Sequence, residues 1–197
     1  MIPNMHVLVI SGPRASGKTS LCISVFHVAK THNIICQGCI GLSERGDGMQ
    51  PYRIQLVDLT SGDTYLAAQR PKDRKDIPFD FCPESFAHIR ENCIRSLDQT
   101  TQEIKIQTAQ SKTLYIIDET GPLGHERNKG HLEFLKVVLD SALADALVLT
   151  VRADLQGVLL SILKKHDIPT ADIHLLEIDK QFSMDAQKAA SFFIETI

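Results

Sequence analysis

The chain has 197 residues and a formal net charge of −3 at pH 7, from 21 Lys plus Arg against 24 Asp plus Glu. Hydrophobic residues make up 43% and charged residues 23%, which excludes a disordered chain. The slight acidity argues against a nucleic-acid or acidic-membrane scaffold, and no apolar run is long enough for a membrane span.

The start, Met1-Ile2-Pro3-Asn4-Met5-His6, lacks the charged head and apolar core of a signal peptide. Five scattered cysteines are an odd number and suit reduced thiols. These features lead us to expect a cytoplasmic protein with one domain over residues 1–197.

His6 to Ile10 is a short apolar run of the kind that forms a strand covered on both faces of a parallel sheet. Gly12-Pro13-Arg14-Ala15-Ser16-Gly17-Lys18-Thr19 follows directly, and Ser20 to Lys30 reads as a helix with Leu21, Val25, Val28 and Ala29 on one side. Cys36-Gln37-Gly38-Cys39 has the spacing of a zinc or redox pair. Cys82 and Cys93 do not form a second pair, and the segment leads into a strand rather than opening a helix, so packing thiols are expected. From Ile40 to about Gln69, glycines, the alternating Tyr52-Arg53-Ile54-Gln55-Leu56 and the turn Thr60-Ser61-Gly62-Asp63 predict an antiparallel hairpin inserted in the core. Arg70 to Asp76 reads as a polar loop, either solvated or a basic lid.

Phe86, Ile89, Cys93, Ile94 and Leu97 mark a helix entered at Pro83. Thr113 to Ile117 is a second apolar strand, ending in Asp118-Glu119. Beyond it, His125 and His131 flank Glu126-Arg127-Asn128-Lys129-Gly130, and two histidines alone make no metal site. Leu132, Leu135, Val138, Leu139 and Ala142 mark a further helix, Ala146 to Val151 a third strand, Asp154 to His166 a helix and His174 to Ile178 a fourth strand. Strand and helix alternate, predicting an α/β fold with a mostly parallel sheet.

The segment from Gly12 to Thr19 has the phosphate-loop spacing of Gly, four residues, then Gly-Lys-Thr. Its amides, from Gly12 through Ser20, converge on phosphate oxygens at a helix N-terminus. Lys18 supplies a charge to the β- and γ-phosphates, and the Thr19 hydroxyl ligates Mg²⁺. Asp118 is the second candidate metal residue, usually acting through water, and Glu119 is placed to orient or deprotonate the attacking water. Strands also end in solvated acids, a reading that pairing with the phosphate loop makes the weaker one. Arg152, just past the third strand, either neutralises charge at the transferring phosphate or pairs with Asp154. Arg14 touches a phosphate or stays solvated, the latter being favoured.

The two motifs resemble a small P-loop nucleoside-triphosphatase family first described from thermophiles. Gly121, Pro122 and Leu123 after the acidic pair, Tyr52-Arg53-Ile54, Leu56 to Gly62 and Val151-Arg152 are also similar. Thr120 stands where that family has a branched apolar residue, and Gly124 stands where it has a Glu. The resemblance implies a three-layer P-loop NTPase fold, RecA-like or kinase-like, with the inserted hairpin. It also implies promiscuous Mg²⁺-dependent hydrolysis of ATP, GTP and other nucleoside triphosphates to diphosphate and phosphate. The phosphate machinery alone equally serves a nucleotide or nucleoside kinase-like phosphotransferase, or a nucleotide-gated interaction module.

Overall fold

Seven stretches of the chain carry the architecture in a computed structural model that describes residues 5–45, 51–71, 79–104, 112–118, 131–141, 144–179 and 185–197. The apolar runs read from sequence become β1 (His6–Ser11), β6 (Thr113–Ile117), β7 (Ala146–Val151) and β8 (Ile173–Glu177). Strand β2 (Ile35–Arg45) joins them, followed by β3 (Pro51–Asp58), β4 (Thr64–Gln69) and the short β5 (Asp80–Phe81). All eight lie in one sheet of order β5-β4-β3-β2-β6-β7-β1-β8. The run β2-β6-β7-β1-β8 is parallel, and β3, β4 and β5 extend it antiparallel.

The expected antiparallel strands are present and extend the main sheet. The first half of β2 pairs with β6 in parallel, from Ile35↔Thr113 to Cys39↔Ile117. Its second half pairs antiparallel with β3, from Cys39↔Asp58 onward, so one continuous strand serves both regions. Gly38 makes the close packing possible. It sits at φ 99° against β6, and a Cβ there would lie 2.1 Å from the Ile116 carbonyl oxygen.

Helices cover both faces. On one face α1 (Lys18–Thr31) packs with α5 (Ala186–Thr196), burying Leu21, Cys22, Val25, Ala29, Ala190, Phe193 and Ile194 against Leu8, Ile10, Leu114, Ile116 and Val148. On the other lie α2 (Pro83–Ile104), α3 (His131–Ser141) and α4 (Gln156–Lys165). They contribute Ile89, Cys93, Leu135, Val138, Leu159 and Leu163 to a core with Val7, Val9, Tyr115, Ile117, Leu147 and Leu149. Alternation along each strand explains the split, because successive side chains point to opposite faces.

Strand β8 departs from the expectation of burial on both faces. It is the sheet edge, and Leu175 is exposed there. Helix α5 was not anticipated. It begins at Asp185, whose side chain accepts from the Gln187 and Lys188 amides. The 72–76 part of the basic segment lies outside the described residues. Among the described residues no helix is long and apolar enough to cross a membrane.

Candidate active site

The loop between β1 and α1 is pinned at its base and shaped at its tip by two glycines with different jobs. At Gly12 the reason is space: a Cβ would fall 2.2 Å from the Ile178 carbonyl oxygen and 2.8 Å from the Ser16 hydroxyl. The Ile178 amide donates to Ser11 O at 2.7 Å and the Gly12 amide to Val151 O at 3.3 Å, so the loop leaves the sheet wedged between the ends of β7 and β8. At Gly17 the reason is conformation. Its φ is 101°, with nothing near a notional Cβ, and Ala15 is also left-handed at φ 59°. The first helical hydrogen bond then runs from the Leu21 amide to the Gly17 carbonyl, 3.0 Å. Helix α1 thus opens at the loop, and its first turn holds no acidic residue to compete with an anion.

Within the loop Lys18 curls back, its Nζ donating to the carbonyls of Gly12 (2.9 Å) and Pro13 (2.7 Å). The Ser16 hydroxyl is buried with no hydrogen-bond partner among the described residues. Pro13, Arg14 and Ser20 are exposed around this rim.

Asp118 follows β6 on the α1 face and is only 2% exposed. The strand between β6 and β1 is β7, so the carboxylate sits two strands, roughly 10 Å, from the strand that launches the loop. The gap is closed by donors from three elements. Thr150 on β7 donates to Oδ1 at 2.7 Å, the Gly41 amide on β2 donates to Oδ2 at 3.1 Å, and the Thr19 hydroxyl at the start of α1 lies near enough to favour the charged carboxylate. Burial pushes the Asp118 carboxyl above the ordinary carboxylate range. Thr150, Thr19, the Gly41 amide and the charge of Lys18 oppose that shift.

Two residues 99 positions apart, Thr19 and Asp118, are thereby in contact. Sequence reasoning did not find Thr150 or Gly41. The available signal was a lone hydroxyl in the otherwise apolar run Ala-Leu-Val-Leu-Thr-Val.

Hard oxygen donors beside a phosphate loop suit Mg²⁺, which takes one or two protein ligands and completes its shell with water and phosphate oxygens. The orphaned Ser16 hydroxyl fits an oxygen-rich ligand in the same place. Thr19 and Asp118 are the residues that fit the ion.

Arg152 lies just past β7 in a two-pronged pair with Asp154, Nε to Oδ1 at 2.9 Å and an Nη to Oδ2 at 2.5 Å. This is the ion pair weighed against a phosphate role. Glu119, His125 and Glu126 lie outside the described residues.

The other candidates are structural. Cys36 and Cys39 belong to cores on opposite faces of the sheet, so the pair cannot share a ligand or a bond. Burial raises the Cys36 and Cys93 thiols to about 11 and those of Cys22 and Cys39 well above their usual value, which keeps them protonated. His131 is buried edge-on to Phe86, with Nε2 3.6 Å from the Cys39 sulfur. Among the described residues no three His, Cys, Asp or Glu side chains converge as a metal cluster.

The sequence matches the NTPase family over residues 7–181, most of the chain. The chain belongs to that family. As an NTPase it is an enzyme that hydrolyses nucleoside triphosphates, and the loop, the acidic strand and the hairpin all fall within the matched span. The solution structure of a human cancer-related nucleoside triphosphatase superposes with a TM-score of 0.62 at 15% identity, covering 98% of this chain and 96% of that one. That similarity is one of fold, and it matches the P-loop NTPase architecture read from sequence. A mutation variant of SsGBP aligns with a TM-score of only 0.21 at 16% identity, over 83% of this chain and 55% of that one, too low to bear on the fold. Among curated proteins none matches this NTPase chain.

Proposed function

We propose that this chain hydrolyses nucleoside triphosphates such as ATP and GTP to the diphosphate and phosphate with Mg²⁺ as cofactor. The observation that supports the reading is the contact between the Thr19 hydroxyl and the buried Asp118 carboxylate at the mouth of the loop. Bound there, Mg²⁺ supplies charge to the phosphate oxygens.

The chain's own residues do the rest. Loop amides from Arg14 to Ser20 orient the triphosphate. Lys18 exchanges the Gly12 and Pro13 carbonyls for β- and γ-phosphate oxygens, a swap that keeps its ammonium fully bonded. Glu119, adjacent in sequence to Asp118, takes a proton from the attacking water. As the new P–O bond forms, the bond from the γ-phosphorus to the β–γ bridging oxygen breaks and the electron pair leaves with the diphosphate. Arg152 turns from Asp154 to the transferring phosphoryl group. An exposed ion pair is worth about 1 kcal/mol or less, so leaving it costs little.

A panel of nucleoside triphosphates, with and without candidate acceptors and with products identified by mass, tests the proposal. Release of diphosphate and phosphate alone, dependent on Mg²⁺, is expected. A phosphorylated acceptor would replace hydrolysis by phosphotransfer.

A further inference from the structure

We infer that Thr150 is a positioning residue: its hydroxyl fixes the Asp118 carboxylate in the orientation that receives the divalent cation of a metal–nucleotide complex. The inference rests on the reading of Thr19 and Asp118 given above, and it adds a residue that the phosphate loop and acidic strand do not contain.

The register puts Thr150 there. Strand β6 pairs with β7 up to Ile117↔Leu149, so the next step sets Asp118 opposite Thr150. On β6, Leu114 and Ile116 face α1, and on β7, Ala146 and Val148 do. Alternation carries both Asp118 and Thr150 to that same face, where Thr19 begins the helix. Thr150 is 0% exposed, and its hydroxyl bonds Oδ1 at 2.7 Å.

A hydroxyl in the middle of a sheet core is costly unless it has a purpose, since a valine fits the same space without desolvating an oxygen. Here the purpose is geometric. The carboxylate torsion of aspartate is broad and soft. The Thr19 hydroxyl is itself to meet the ion, which leaves the Gly41 amide on Oδ2, and that one donor alone would let the group pivot about its bond. Thr150 on the other oxygen removes the pivot. Mg²⁺ demands near-ideal octahedral geometry, so a carboxylate fixed in advance spares the ion that ordering.

Three substitutions separate this role from simple core satisfaction: Thr150→Val, which keeps the shape and loses the hydroxyl; Thr150→Ser, which keeps the hydroxyl; and Asp118→Asn. Mn²⁺ affinity is read by electron paramagnetic resonance with a non-hydrolysable triphosphate present. The Mg²⁺ concentration at half-maximal turnover and the melting temperature are recorded alongside. Loss of an orienting partner weakens metal binding about 10–100-fold. We expect that loss in Thr150→Val for both ions, with metal-free nucleotide affinity unchanged and the parent values restored in Thr150→Ser. Thr150→Ala is read in the same way should the valine variant fail to fold.

Parent-like Mn²⁺ affinity in Thr150→Val, or a serine variant as weak as the valine one, overturns the inference. If Asp118→Asn weakens Mn²⁺ while Thr150→Val does not, only the role of Thr150 falls. Parent-like Mn²⁺ affinity in Asp118→Asn removes the metal reading itself, and the inference with it.

Discussion

At the scale of single residues, charge placement decides what each substitution does. Lys18→Ala removes the ammonium that bonds the loop carbonyls, and with it a charge-assisted contact to phosphate. Nucleotide affinity is expected to fall by about 2–4 kcal/mol, read by calorimetry, and parent-rate hydrolysis in this variant would move the active site elsewhere. Glu119→Gln keeps shape and hydrogen-bonding reach but not the base. Turnover should drop about 10²–10⁴-fold in steady-state assays while Mg²⁺-nucleotide affinity holds, and full turnover would point to Glu126 as the group to test next. Arg152→Ala should lower turnover more than affinity, because a charge aimed at the transition state does little in the ground state. Unchanged turnover would leave Arg152 as the partner of Asp154 and nothing more. The loop and Asp118 were legible because their spacing is a motif. Thr150 and Gly41 were not, because their value lies in strand register, which appears only when β6, β7 and β2 are set side by side.

Among the elements, the glycines of the loop offer a direct comparison. Gly12→Ala drives a Cβ into the backbone of Ile178, whereas Gly17→Ala meets no atom and is strained only in its φ, at about 1–3 kcal/mol. Thermal unfolding should therefore drop further for Gly12→Ala, with roughly 2–4 °C expected per kcal/mol in a chain of this size. Equal shifts, or the reverse order, would mean that the end of β8 yields to the new methyl. The helices α1 to α4 were readable from their apolar spacing, and Pro83 marks the first residue of α2 as a proline there should. The hairpin was readable as strands but not as part of the main sheet. Nothing in Ile35 to Cys39 shows that its partner is β6, some 80 residues on, since parallel pairing carries no local turn signal.

Over the whole molecule, burial of His131 links stability to pH. Burial lowers its pKa from 6.5 to about 4. The imidazole is neutral in both folded and unfolded chains above pH 7, and below about 6.5 the unfolded chain takes up the proton first. Stability therefore falls as acid is added, by about 3 kcal/mol once the pH is below 4 and by roughly 2 kcal/mol at pH 5. Denaturant unfolding between pH 7.5 and 5 should show the parent losing about 2 kcal/mol more stability than His131→Gln over that range. Parallel slopes would mean that the site admits water and the imidazole titrates normally.

The sheet order carries a consequence for how the protein is made. Strand β1, which launches the phosphate loop, is flanked by β7 and β8, the last two strands to be synthesised. A nascent chain that has reached residue 145 holds the whole Gly-to-Thr motif and Asp118, yet β1 has neither neighbour, and the Val151 and Ile178 backbone that pins the loop does not yet exist. For such a chain the loop has none of the backbone partners that hold it in the folded protein. Until β7 and β8 follow, His6 to Ser11 is an apolar segment without its strand partners, the kind that is exposed to aggregation. A fragment comprising residues 1–145 should accordingly bind no nucleotide in calorimetry, and adding the fragment 146–197 in trans should restore binding.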